Sequence, residues 1–324
     1  MKNKIAITIG DPAGIGPEII IKALNSLPDS SKYLLIGNKD LFIKTAKNIN
    51  VKISDDIEVI DISCDISKIN IGQFGIESGR LSFLALEKAC MLANNQEIRA
   101  IVTAPLSKKA INMAGFNFSG QTEILQKYLA EDRGLKNKAE MLFVSKDFRV
   151  LLLTRHIKLS SVSEALKPDN IIESINALNN SLIKDFKVLN PKLAICGLNP
   201  HAGEDGLIGN EEKDILIPAI KTLKQKCNID IEGPFPADTL WVKAAKPYFN
   251  NKIQTYDAYI ACYHDQGLIP IKLLAMDSTV NTTINLPVIR TSPSHGTAFD
   301  IAGKNVADYS SMIHAIELSD RISS

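Results

Sequence analysis

Three of the five histidines in this 324-residue chain stand just beyond an apolar run: His156 after "RVLLLTR", His201 after "LAICGLNP" and His264 after "AYIACY". In an open α/β sheet the carboxyl ends of the strands are where ligand sites form. Three imidazoles suit Zn²⁺ or another first-row divalent ion, and three protein ligands leave a coordination position free for a substrate. Their separations are too long for a local metal motif, so spacing alone does not bring them together. A loop histidine satisfied by backbone or water accounts for any one of them singly; the shared strand-end placement favours a common ion. Asp265 is placed to orient His264 from behind, or else to cap the turn that follows.

Anion chemistry is the second theme. "GDPAGIGPE" (10–18) joins the first strand to the first helix, and its backbone N–H groups around Gly14 and Gly16 can face an anion. It is neither GxGxxG nor a P-loop, and a tight strand-to-helix turn explains it equally well. "SGQTE" (119–123) puts Gln121 and Thr122 at a helix start, where a phosphate or simple capping fits. Lys272 and Arg290 flank an extended segment containing Asn281 and can clamp an anionic substrate, although a surface cation accounts for either one singly. "NPHAGEDGLIGNEE" (199–212) is too long and too rich in glycine and acids to be only a connection.

These residues need a frame. Strand-like runs at 5–10, 33–37, 57–62, 100–105, 192–198 and 258–263 alternate with amphipathic segments such as 17–27, 79–95 and 210–226. Near-continuous apolar strands separated by helices imply an α/β fold with a mostly parallel sheet covered on both faces. Residues 139–156 read as a hairpin turning at Ser145-Lys146-Asp147, and 279–293 as a second extended stretch. With no repeat and no Pro/Gly/Ser-rich linker, two intimately packed subdomains are expected.

Composition excludes several classes. Net charge is +1 and 45% of residues are apolar, so neither a nucleic-acid surface nor a membrane span is expected. The N-terminal apolar stretch is too short for a signal-peptide core. Five cysteines without a CxxC pair fit a reducing compartment, with cytoplasm as the expectation.

The ordered set "GDPAGIGPE", "TAPLSK", "GQTE", "LLLTRH", "GLNPHAGEDGLIGNEE", "GPFPADTLW", "CYHDQGLIPIK" and "NLPVIRTSPSHGTAFDIAGK" resembles the 4-hydroxythreonine-4-phosphate dehydrogenases of pyridoxal phosphate biosynthesis along nearly the whole chain. The resemblance implies an α/β/α fold of two subdomains, similar to isocitrate and isopropylmalate dehydrogenases. Residues 1–130 with 285–324 would form the cofactor side, and 131–284 the metal and dimerisation side. It implies a homodimer whose active sites draw on both chains, and one divalent ion per subunit (zinc, magnesium or cobalt) on His156, His201 and His264. Asp238 and Asp265 would support those ligands. Gln121, Thr122, Lys272, Asn281 and Arg290 would bind the substrate, with Asp265 and Lys272 taking part in catalysis.

"SHGTAFDIAGK" is similar to the adenosine-binding loop of isopropylmalate dehydrogenases, so Gly14, Gly16, His295, Gly296, Thr297 and Asp300 are expected at the cofactor. Asp300 favours NAD, with NADP possible in principle, because a carboxylate accepts from ribose hydroxyls and repels a 2′-phosphate. A cap on a helix beginning near Ile301 is the alternative for Asp300. The implied reaction is oxidation of 4-phosphooxy-L-threonine to a β-keto acid that loses CO₂ to give 3-amino-2-oxopropyl phosphate. One departure stands out: the family usually carries histidine where this chain has Gln121, which can hydrogen-bond but never carry charge. A sister activity on a four-carbon sugar-acid phosphate such as threonate 4-phosphate is therefore kept beside the first. A non-catalytic metal and phosphate sensor is the third reading, disfavoured because a sensor needs no hydride acceptor.

Overall fold

The structure is a computed structural model describing residues 3–324. Four strands come first: β1 (Lys4–Thr8), β2 (Tyr33–Gly37), β3 (Glu58–Asp61) and β4 (Ile98–Thr103). The hairpin follows as β5 (Glu140–Ser145) and β6 (Phe148–Leu152), then β7 (Lys192–Cys196), β8 (Asp230–Phe235) and β9 (Ala258–Ala261). The expected extended stretch is a second antiparallel pair, β10 (Val280–Ile284) and β11 (Ile289–Pro293).

The chain divides into two compact units, one formed by the segment up to Ala139 with Val280–Ser324, the other by Glu140–Thr279. The expected 130/131 and 284/285 bounds thus stand a few residues away, and the later division precedes β10 because β10 pairs with β11 and belongs to its sheet. Strand order in the first unit is β3-β2-β1-β4-β11-β10, parallel except for β10. In the second it is β5-β6-β9-β7-β8, parallel except for β5.

Long apolar runs make the central strands inaccessible on both faces, as a helix-covered parallel sheet requires. Ile5, Ala6 and Ile7 of β1 and Leu34, Leu35 and Ile36 of β2 are all fully buried. In the second unit Phe148, Trp241 and Tyr259 pack together, with ring centroids 5.3 to 6.1 Å apart. β8 escapes the sequence pattern because Asp230, Glu232, Gly233 and Pro234 interrupt it. It pairs on one side only, with β7, and proline is tolerated in such an edge strand.

Candidate active site

In the second unit β9 lies between β6 and β7, all three parallel. Their carboxyl ends therefore share one sheet edge, and each leads to one of the histidines. His156 follows β6 in a bend; His264 opens the helix His264–Ala275 after β9; His201 follows β7. The His156 and His264 rings lie 5.5 Å apart, centroid to centroid. Asp265 Oδ1 sits 2.6 Å from His264 Nδ1, so an ionised Asp265 holds that nitrogen as the N–H donor and leaves Nε2 its lone pair. Tyr263, not Asp265, occupies the helix N-cap position. Gln266 stiffens this corner by accepting the Cys262 N–H at 2.7 Å and donating to the Gly197 carbonyl at 2.7 Å, which ties the ends of β9 and β7 together.

His201 is exposed and begins a run of five residues in left-handed backbone, His201 to Asp205, of which only Gly203 is a glycine. At ~1–2 kcal/mol for each L-residue so placed, the four others carry strain on the order of several kcal/mol. Among the described residues no three His, Cys, Asp or Glu side chains lie close enough to hold an ion. One chain thus brings His156 and His264 together and does not add His201. The pair fits a divalent ion as two neutral nitrogen donors, one of them oriented by a carboxylate. Asp238, in the first turn of the helix Ala237–Phe249, is exposed and has no side-chain partner among the described residues. Lys272 is half-buried, likewise without a partner among them.

The first unit builds a different site. Arg290 is only 3% exposed on β11. Its guanidinium donates from Nε and Nη2 to Thr103 Oγ1 at 2.9 and 2.6 Å, from Nη1 to Thr283 Oγ1 at 3.3 Å, and from Nη2 to the Gln121 side-chain oxygen. Among the described residues no carboxylate pairs with it. Burial alone draws its pKa down to about 9, so the group stays charged at neutral pH with only neutral oxygens around it.

Strand register explains the cluster. Thr283 lies opposite Arg290, Asn281 is two residues along β10 on the same face, and Thr103 lies two residues beyond Ile101, the Arg290 partner on β4. Asn281 Oδ1 is buried with no hydrogen bond, and Thr122 is buried in the first turn of the helix Gln121–Leu129. A buried uncompensated cation beside a helix N-terminus is an arrangement that an anion completes. Gln121 also donates from Nε2 to the Ala104 carbonyl at 3.0 Å, so both ends of its amide are spent on holding the cluster. Thr103 and Thr283 were not signalled by the sequence, since only the pairing of distant strands brings them to Arg290.

The 295–300 segment is irregular. A Cβ on Gly14 would lie 2.6 Å from the Thr297 carbonyl oxygen, which also accepts the Ile15 N–H at 3.0 Å. A Cβ on Gly16 would meet the Ile9 carbonyl oxygen at 2.5 Å. Both glycines are thus required by close backbone packing, and Gly14 positions the loop bearing His295 to Asp300. His295 Nε2 is buried without a partner, whereas Gly296 and Asp300 are exposed. No helix begins near Ile301; turns run to Asn305 and the last helix is Ser310–Ile322, so capping does not account for Asp300. Asp11, at the start of the glycine turn, is fully buried, and burial raises its pKa to about 6 against the opposing N–H of Ala13.

Comparison with known proteins agrees along the chain. The family model described as pyridoxal phosphate biosynthetic protein PdxA matches residues 17–319. A 4-hydroxythreonine-4-phosphate dehydrogenase from Nostoc sp. is 42% identical, covering 98% of this chain and 92% of its own. A relative from Oceanobacillus iheyensis, named as a putative D-threonate 4-phosphate dehydrogenase, is 39% identical, covering 97% of this chain and 96% of its own. The crystal structure of 4-hydroxythreonine-4-phosphate dehydrogenase from Klebsiella pneumoniae superposes with a TM-score of 0.86 at 34% identity, covering 99% of this chain and 100% of that one.

Proposed function

The chain belongs to the PdxA family of pyridoxal phosphate biosynthetic proteins, and from that premise we propose that it oxidises the C3 hydroxyl of 4-phosphooxy-L-threonine with a nicotinamide cofactor and a divalent ion. The β-keto acid so formed loses CO₂ to give 3-amino-2-oxopropyl phosphate. The observation that carries the chemistry is the histidine pair at one edge of parallel strands, 5.5 Å apart, with Asp265 on His264. A divalent ion held there would supply Lewis-acid polarisation of the substrate hydroxyl, and a bound nicotinamide would supply the hydride acceptor.

The remaining roles fall to side chains of this protein. His156 and His264 offer neutral nitrogens, and His201 is the third ligand. Asp265 keeps His264 in the right tautomer. Arg290 meets the substrate phosphate, and Thr122 and Asn281 complete its hydrogen bonds. Lys272 is the uncommitted cation for the carboxylate or phosphate. Gln121 serves this site by holding Arg290, so no imidazolium charge contributes here. The loop His295–Asp300, seated on Gly14, receives the adenosine end of the cofactor.

A homodimer follows from the same reading, because one chain does not gather three ligands. The helix that begins at His264 also leaves Ile269 and Leu273 exposed, 57% and 80%, with Met276 beyond it at 61%, an apolar stripe at helical spacing that suits a second copy. NADH formation with 4-phosphooxy-L-threonine, D-threonate 4-phosphate and unphosphorylated L-threonine, each with and without divalent ion, tests the function. Metal-dependent turnover of the first supports it. Preference for the second, as the name of the Oceanobacillus relative suggests, would move the substrate but keep the site. No turnover of any would reject it.

A further inference from the structure

We infer that Glu212 is a positioning residue for His201: its buried carboxylate is the template around which the left-handed turn carrying that histidine is wound. The inference rests on the reading of His201 as an ion ligand and goes beyond it. The turn is unusual in needing L-residues at φ of 52° (His201), 52° (Ala202), 44° (Glu204) and 54° (Asp205), so something outside it must hold it. Glu212, 3% exposed, accepts the Asn199 backbone N–H on Oε1 at 2.8 Å and the Asn199 side-chain amide on Oε2 at 3.0 Å. The same amide reaches Glu211 at 2.8 Å, which in turn accepts from the Ser163 hydroxyl at 2.8 Å.

The loop closes on this carboxylate. A Cβ on Gly197 would lie 3.1 Å from Glu212 Oε1 and one on Gly203 only 2.7 Å from Oε2, so the backbone passes directly over both oxygens. Asn199, gripped from below, offers its carbonyl to the Ala202 N–H at 3.1 Å, the first bond of the turn. Among the described residues no cation pairs with Glu212, so its oxygens are free to serve these N–H groups. The chain then leaves Glu212 in a π-helical turn, Glu212–Leu216, an irregularity that recurs at functional sites.

Both oxygens must accept. Glu212→Gln keeps the shape but turns one acceptor into a donor facing an N–H. The test titrates Co²⁺ into metal-free full-length protein, wild type, Glu212→Gln and His201→Ala, and follows amide hydrogen exchange over residues 199–208. Glu212→Gln is expected to lose about 10–100-fold in Co²⁺ affinity and to exchange faster in the turn while β7 and β9 stay protected. His201→Ala should lose at least as much affinity without faster exchange. Wild-type affinity and exchange in Glu212→Gln, beside a weakened His201→Ala, overturns the inference alone. Full Co²⁺ affinity in His201→Ala overturns the ligand reading and the inference with it. Should Glu212→Gln fail to fold, Asn199→Ala, which removes the amide donor, takes its place with the same expectations.

Discussion

The first unit buries a cation, Arg290, among hydroxyl oxygens from its own strands and the amide oxygen of Gln121 at a helix start, whereas the second leaves its imidazoles beyond the open ends of β6, β9 and β7. One site is complete in shape before any ligand arrives and carries the cost of a buried unpaired charge. The other has two imidazoles side by side and, on the proposed reading, a third on a strained turn that an ion would join to them. The difference teaches where ligand binding energy goes. On the proposed function, an anion would relieve a penalty already present in the first unit, and in the second an ion and a second chain would organise groups that are otherwise solvated.

The largest effect is expected where assembly has no spare ligand. His156→Ala or His264→Ala should abolish turnover and lower bound metal, measured by metal analysis of the purified protein, because three ligands are a minimum for such sites. The sequence alone left open which histidine crosses a dimer. The 5.5 Å separation within one chain makes His201 the candidate, so refolded mixtures of His201→Ala and His264→Ala chains should regain activity. Mixtures of His156→Ala and His264→Ala should not. The reverse pattern, with heterodimers verified, would put His156 and His264 on different chains, and no rescue in either mixture would make the second unit's site whole in one chain; either result breaks the comparison.

Next in size is Arg290→Met. Loss of two charge-assisted hydrogen bonds to phosphate, at ~2 kcal/mol each, should lower kcat/KM about 10³-fold. Because the substitution also removes a buried unpaired charge, Tm of the ligand-free protein should stay level or rise. A marked fall in Tm would mean that Arg290 is a structural cation, and the contrast between the units would fail.

Asp11 sharpens the same point through pH. Its folded pKa, about 6, lies above the ordinary 3.8. The folded state therefore binds this proton more tightly, and the stability it contributes is full below about pH 4 and lost as pH rises through about 6. Asp11→Asn should accordingly gain on wild type by up to about 2–3 kcal/mol at pH 7.5 and by little near pH 4. Denaturant unfolding at both values reads the difference; an equal gain at both would show that the carboxyl is not destabilised by burial.

The smallest effect concerns the cofactor. Asp300→Lys should shift the NAD over NADP preference by about tenfold or somewhat more in kcat/KM, since an exposed charge is partly screened. No shift would detach Asp300 from the ribose.

Much of this was legible in the sequence. Strands β1, β2, β7 and β9 announce themselves by unbroken apolar runs, and the hairpin by its polar turn at Ser145–Asp147. The histidines were found because they follow such runs. Hidden were the features that depend on strand order. Thr103 and Thr283 reach Arg290 only through the pairing of β4, β10 and β11. The left-handed turn is hinted at by Gly203 and Gly206, yet His201, Ala202, Glu204 and Asp205 give no local sign of positive φ. β8 was missed because charged residues and a Gly-Pro pair break its alternation.

Calorimetric titration of 4-phosphooxy-L-threonine into the metal-free protein, followed by addition of divalent ion and NAD, tests the contrast between a preformed and an assembled site most directly. The account expects binding without metal that Arg290→Met removes, and NADH only after the ion is added. Binding that appears only with the ion, or turnover in the presence of a chelator, would contradict it.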